Sequence, residues 1–273
     1  MNSNKIISLC AGGLCNRLLP VASCYAFTKL TGRKLVICWE KHDVCNANFE
    51  DLFQNNIEII SWNDLKKIKG AYFVGNREDV ISNNFSEIIS NNNINNNRDL
   101  IDLNCPNEII IHHHNNLIPS IDRNSVIEFL RSLQPITEIE DKINEFTNEF
   151  NLDKRVIGMH CRLTDFSVPW SYYESEIQKQ LNENPNCKIL VCSDDIDFEK
   201  YIGEKYKSNV IIYNKKYRMV KKDQSKEWIH NNFVRDTGSV QEAIVDLFLL
   251  SKTNIKSGNN HSSFSQTARL LNS

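Results

Sequence analysis

Three short segments of this 273-residue chain gather glycines, hydroxyls and basic side chains of the kind that handle anions. The first is Cys10-Ala-Gly-Gly13-Leu-Cys-Asn16-Arg17. Small residues there let backbone N–H groups approach an anion or a sugar oxygen, and a helix opening behind them adds its positive end. The second is Ile157-Gly-Met-His160-Cys-Arg162-Leu-Thr-Asp165. Strand side chains alternate, so His160 and Arg162 share one face where the strand ends. A guanidinium fork there suits a pyrophosphate, because it gives paired charge-assisted hydrogen bonds and keeps its charge. The third, Ser257-Gly-Asn-Asn-His-Ser262-Ser263-Phe264-Ser265, opens the last helix and offers N–H groups and hydroxyls to an anion without a metal. Each segment also has a plainer use: a tight turn, an ion pair of Arg162 with Asp165 or Asp194, and a helix cap by Ser262 or Ser263. The first is not G-x-G-x-x-G and no Gly-Lys-Ser/Thr follows, so dinucleotide and P-loop sites find no support.

These segments need strand ends and helix starts to hold them. Lys5–Cys10 reads as a strand, Asn16 as the cap of a helix that Thr31-Gly32-Arg33 ends, and Lys34–Trp39 as the next strand. Such a βαβ unit implies a parallel sheet. Further strands are predicted at Ile57–Ile60, Ala71–Val74 and Glu108–His112, and helices at Asn124–Arg131 and Thr137–Phe150 on either side of Pro135. The alternation then repeats. Strands at Arg155–Cys161, Lys188–Cys192, Asn209–Tyr213 and Asn254–Lys256 alternate with helices at Tyr172–Leu181, Asp197–Glu204, Val240–Leu250 and Ser265–Leu271. The expected fold is α/β: two Rossmann-like lobes facing across a cleft, residues 1–135 and residues 136–273.

Composition removes other classes. With 32 basic against 34 acidic residues, the net charge of −2 gives no hold on a phosphate backbone, so nucleic acid is not an expected partner. No apolar run reaches the roughly 18–20 residues that span a bilayer. The N-terminus lacks the pattern of a secretory signal, and nine cysteines without a C-x-x-C pair read as free thiols, which together point to the cytoplasm. Asn83–Asn97, with eight asparagines in fifteen residues, reads as a surface loop. His112-His113-His114 lacks a third spaced ligand and reads as a strand end rather than a metal fragment. Six basic residues against Asp223 between Lys215 and Lys226 read as a solvated loop, with an anionic acceptor or donor phosphates as the alternative. Asp194-Asp195 is the one D-D pair with a claim on Mg²⁺, and capping or ribose and loop contacts are favoured for it.

Taken in order, Gly12-Gly-Leu-Cys-Asn-Arg17, His160-Cys-Arg162-x-x-Asp165, Cys192-Ser-Asp-Asp195, Ala243-Ile-Val-Asp246-Leu-Phe-Leu-Leu-Ser251 and Ser262-Ser-Phe-Ser265 carry a resemblance. The chain resembles the GDP-fucose-dependent fucosyltransferases of the α1,2-, α1,6- and protein O-linked types, whose two-lobed architecture implies a GT-B-like fold here, with residues 1–135 as the acceptor-side lobe and residues 136–273 as the donor-side lobe. The likeness covers both ends and most of the second half, and little between about Phe53 and Arg155. It implies that Arg162 grips the β-phosphate, that His160 meets the nucleotide, and that Asp246 accepts hydrogen bonds from guanine. It further implies that Ser262, Ser263 and Phe264 wrap the pyrophosphate, with Gly13, Asn16, Arg17 and Asp194 also near the donor. Leu163 stands where many α1,2 and α1,6 members have a second arginine. Trp170 stands where α1,6 members have a glutamate, which leaves Asp165, ahead of Glu174, as the candidate base. The implied reaction is inverting transfer of fucose from GDP-fucose to a glycan hydroxyl, with no metal or other cofactor. Transfer of another GDP-sugar, or silent binding of a sugar nucleotide or glycan, are the alternatives.

Overall fold

A computed structural model gives the structure of the protein, describing residues 4–75, 93–95, 105–113, 121–164, 168–223, 232–257 and 262–273. The chain divides into two compact units: Met1–His42 with Gln54–Leu133, and Asp43–Phe53 with Gln134–Ser273.

The first unit is built on a parallel sheet. Its strands are β1 (Lys5–Cys10), β2 (Lys34–Trp39), β3 (Glu58–Ile59), β4 (Tyr72–Gly75), β5 (Asn93–Asn95) and β6 (Ile109–His113), in the order β3-β2-β1-β6-β4-β5. The near-continuous apolar run of β1 fits a strand covered on both faces: Ile6, Ile7 and Leu9 are all buried. Helix α1 (Leu14–Thr31) crosses from β1 to β2, and Gly32 ends it in the left-handed conformation (φ 67°), its N–H donating to Thr28 O at 2.8 Å. Helix α1 begins earlier than expected. Gly13 holds the N-cap position, so Asn16 stands inside the first turn rather than capping it. A helical turn, α2 (Trp62–Leu65), follows β3, and α3 (Arg123–Ser132) meets α1 through Tyr25, whose ring lies 5.2 Å from that of Phe129. The asparagine-rich stretch is not wholly loop. Asn93–Asn95 adds an edge strand with Ile94 opposite Phe73, while the rest of that stretch lies outside the described residues.

The second unit carries a four-stranded parallel sheet of β7 (Ile157–Cys161), β8 (Ile189–Ser193), β9 (Val210–Ile211) and β12 (Asn254–Ser257), in the order β12-β7-β8-β9. Its helices are α4 (Thr137–Phe150), α5 (Trp170–Glu183), α6 (Ile196–Lys205), α7 (Thr237–Lys252) and α8 (Ser263–Asn272). A short antiparallel ribbon, β10 (Val220–Lys221) with β11 (Phe233–Val234), lies between β9 and α7 in sequence. Met159, Cys161, Ile189 and Val191 from the sheet pack with Tyr173, Ile177, Phe198 and Ile202 from α5 and α6. Gly158 lets another helix come close: a Cβ there would stand 2.1 Å from Thr253 Oγ1 and 2.8 Å from Leu250 Cδ1. That close approach seats the C-terminal part of α7 on β7.

The boundary differs from the single division at residue 135. Asp43–Phe53 joins the second unit because its polar groups are satisfied there. Asn46 N donates to Arg235 O (2.9 Å), Arg235 N to Asp43 O (2.7 Å), Thr237 Oγ1 to Asn46 O (2.9 Å) and Gln241 Nε2 to Asp51 O (2.9 Å). Phe49, Leu52 and Phe53 are buried, and Ile136 N donates to Leu52 O.

Candidate functional site

In an open parallel sheet, ligands bind beyond the carboxyl ends of the strands where the strand order reverses. In the second unit the chain steps from β7 outward to β8 and β9, then returns to β12 on the other side of β7. The reversal therefore lies between β7 and β12. A register shift between Ile255 and Ser257 re-aims the end of β12 at that point. Beside it, at the carboxyl ends of β7 and β8, a pocket opens, lined among others by His160, Arg162, Asp194, Lys215, Asp246 and Phe264.

His160 stands at the end of β7, 7% exposed, with Nδ1 2.8 Å from Ser265 Oγ. Its ring stacks on Phe264, the centroids 4.6 Å apart and the planes 26° apart. One residue on the first turn of α8 and another at its third position thus orient the imidazole. Ser262 precedes that helix and is buried, but its hydroxyl does not cap it: Oγ has no hydrogen-bond partner among the described residues. Ser263 is the first helical residue.

Arg162 lies just past β7, and its backbone is pinned. Its N–H donates to Tyr173 Oη at 3.2 Å, and Oη donates back to Arg162 O at 3.4 Å. Burial pushes the Tyr173 phenol up to about 12, so it keeps the proton this exchange needs. Asp194 ties down the next residues: Oδ1 accepts from Leu163 N at 2.8 Å and Oδ2 from Thr164 Oγ1 at 2.6 Å. Asp195 caps α6, accepting from Asp197 N and Phe198 N, and also accepts from Trp170 Nε1. The pair is thus spent on loop and helix contacts, and no cluster of three or more potential metal ligands occurs among the described residues.

Asp246 projects from α7 and is 6% exposed. Lys215 Nζ lies 2.9 Å from its Oδ2 and 2.5 Å from Glu199 Oε1, while Arg218 Nη2 lies 2.7 Å from Glu199 Oε2. Asp246 Oδ1 and Arg218 Nε have no hydrogen-bond partner among the described residues. Burial, aided by the Glu199 charge and opposed by Lys215, pushes the Asp246 carboxyl up to about 7. With Oδ2 already engaged, Oδ1 is the acceptor this carboxylate offers, a narrower offer than both oxygens together.

Lys215 and Arg218 correct the reading of the basic stretch as a solvated loop. Glu199 draws both cations inward, and the Lys215 side chain is only 8% exposed. Glu174 is corrected as a base. Lys205 Nζ lies 2.5 Å from it and two tyrosine hydroxyls donate to it, which holds its carboxyl below the usual range. Asp165, the other candidate base, lies outside the described residues. So does His114, whereas His112 and His113 are buried at the end of β6.

The remaining expected site residues belong to the first unit. Its own order reversal falls between β1 and β6, beside the Gly12-Gly13 turn. Gly12 has φ 73°, and a Cβ there would meet Asn16 Nδ2 at 3.2 Å, so turn and asparagine pack closely. Arg17 is 1% exposed. Its Nε donates to Gly12 O (2.9 Å), its Nη1 to Glu40 O (2.7 Å), and its guanidinium lies over the Trp39 ring. A guanidinium so enclosed braces the loop, and the expectation that it meets the donor gives way. Tyr173, Glu199, Lys215 and Arg218 were not singled out as site residues from sequence. Only the last two carried a signal, as part of the basic stretch.

All nine cysteines are buried and unbridged. Burial pushes the Cys161 and Cys192 thiols well up, so they remain thiols. No described helix is long and apolar enough to cross a membrane.

No family model and no curated protein matches this sequence. Solved structures do. The chain is similar to the fucosyltransferase NodZ from Bradyrhizobium, with a TM-score of 0.65 at 15% identity, over 98% of this chain and 93% of that one. It is similar to POFUT1 in complex with GDP-fucose (0.59, 13%, 99% and 94%) and to Arabidopsis thaliana FUT1 in complex with GDP (0.57, 13%, 98% and 68%). The α/β fold with parallel sheets is the fold of these fucosyltransferase structures.

Proposed function

We propose that the protein is an inverting glycosyltransferase that moves fucose from GDP-fucose to a glycan hydroxyl, in a GT-B-type two-lobe arrangement. The observation that carries this reading is the pocket beside the β7–β12 reversal. It combines a pinned arginine, a histidine oriented from α8, the N-terminus of that helix and a buried carboxylate with an unpartnered oxygen. Two similar structures hold GDP-fucose or GDP.

In the proposed reaction the acceptor hydroxyl attacks the sugar C1 as the bond to the β-phosphate breaks. Negative charge grows on the departing GDP. Arg162 and the N-terminal turn of α8 are the groups placed to meet that charge, work that a metal ion does in other transferases. Asp165 is the proposed base for the acceptor proton. Asp246 Oδ1 takes an N–H of guanine, and the His160–Phe264 stack supports the nucleotide. Release of GDP from GDP-fucose, dependent on a glycan acceptor, tests the reading. GDP binding without transfer across a broad panel of GDP-sugars and acceptors supports a silent binder instead.

A further inference from the structure

Four charged side chains form a chain at the pocket, Arg218–Glu199–Lys215–Asp246, linked at 2.7, 2.5 and 2.9 Å, with all but the part-exposed Arg218 largely out of water. They come from α6, α7 and the segment between β9 and β10, which share no local reason to meet. Taking such charges out of water is costly, and replacing such sets by apolar residues is often neutral or stabilising. Stability alone is therefore a poor account of this chain. An ammonium has three N–H donors. Lys215 spends one on Glu199 and one on Asp246 Oδ2, leaving a third beside the unpartnered Asp246 Oδ1. Both residues line the pocket. A donor thus stands next to an acceptor.

We infer that Lys215 and Asp246 together read a lactam edge on the nucleotide base, the ring N–H donating to Asp246 Oδ1 and the adjacent carbonyl accepting from Lys215 Nζ. Lys215 is then a specificity determinant, and Glu199 and Arg218 are positioning residues. The inference rests on the nucleotide-binding reading above and deepens it. Two opposed influences act on the Asp246 carboxyl. Lys215 favours its charged form and Glu199 disfavours it, against the burial that favours the neutral acid. The other titratable or charged groups near it are Arg218 beyond Glu199, the Cys192 thiol of β8, Glu242 one turn earlier on α7, Tyr213, and His160 and Arg162 across the pocket.

Titration calorimetry of GDP, IDP and ADP from pH 6 to 9 tests this on the whole chain. IDP keeps the lactam edge and lacks only the 2-amino group, so it should bind within roughly tenfold of GDP, with ADP weaker than both. Lys215→Met should move the midpoint of GDP affinity upward by about one pH unit or more and cost GDP more than ADP. Glu199→Gln should move the same midpoint downward. The nucleotide phosphate titrates in this range too, but it is common to all three proteins and cancels in the comparison. Midpoints that stay put in both variants, or equal losses for GDP and ADP in Lys215→Met, overturn the inference while leaving nucleotide binding intact. If Lys215→Met does not fold, the sign of the Glu199→Gln shift and the IDP-to-ADP ratio of the unaltered protein decide it. Failure of the unaltered protein to bind any of the three overturns the nucleotide reading itself.

Discussion

The two units use one architectural device and treat it oppositely. Each places a loop at the point where its parallel strand order reverses, and each puts an arginine there. In the first unit Arg17 is enclosed, its donors turned onto the carbonyls of Gly12 and Glu40. In the second, Arg162 is only part-buried, held by its backbone and lining a pocket where Asp246 Oδ1 has no hydrogen-bond partner among the described residues. Buried polar atoms without partners are rare, because each costs about 1–3 kcal/mol of desolvation. The first loop is complete in itself. The second keeps an unpartnered carboxylate oxygen beside the pocket its arginine lines, and the proposed chemistry is assigned there for that reason.

The comparison breaks most readily at Arg162. Arg162→Ala should lose about 10²–10³ or more in transfer rate with an unchanged circular dichroism spectrum. Arg162→Lys should lower kcat more than donor affinity, because a point charge cannot reproduce the fork and the charge it meets grows in the transition state. Turnover of Arg162→Ala near the unaltered rate would falsify the assignment. Arg17→Met should behave in the opposite sense. It strips two carbonyls of a charged donor and should cost about 2–4 kcal/mol in chemical denaturation. GDP affinity of the folded fraction should change little. Lost GDP affinity at full stability would erase the contrast between the loops.

A smaller effect is expected at Asp246. Asp246→Asn should weaken GDP by about tenfold and leave ADP and CDP, whose bases lack a ring N–H beside a carbonyl, nearly unchanged in competition binding. The sign of its pH dependence follows from burial. Its carboxyl lies near 7 in the folded chain against 3.8 in the reference state, so the folded state holds the proton more tightly. That contribution to stability is full below about 3.8 and is lost as pH rises toward 7. Denaturation midpoints of Asp246→Asn should therefore lack this component of the slope between pH 4 and 7. GDP affinity should run the other way, rising through pH 7 as the acceptor ionises. The smallest effect is the last: GDP affinity should be the same within error in EDTA and in Mg²⁺, and a requirement for the ion would return Asp194 and Asp195 to consideration as ligands.

The secondary elements were readable because hydrophobic period and turn chemistry are local. The predicted β1 and β2 match the structure residue for residue, as does α4 over Thr137–Phe150. His160, Arg162, Asp246 and Phe264 come together as their order implied. What escaped was decided at a distance. Lys215 and Arg218 look like any basic loop until Glu199, sixteen and nineteen positions away, draws them in. The helix start at Leu14 was misjudged because asparagine is a good cap, whereas here glycine takes the position. The affiliation of Asp43–Phe53 depends on Arg235, Thr237 and Gln241, about 190 residues downstream, which no local pattern announces.

That excursion has a consequence for how the protein can be taken apart. The chain passes between units at His42/Asp43, again at Phe53/Gln54 and a third time at Leu133/Gln134. A single cut near residue 133 therefore does not yield two independent folding modules. The C-terminal fragment alone would lack Phe49, Leu52 and Phe53 and the backbone partners of Arg235, Thr237 and Gln241. A chimera that exchanges C-terminal halves between chains of this fold must carry these eleven residues across with the half they serve, which turns a one-junction splice into a three-junction graft.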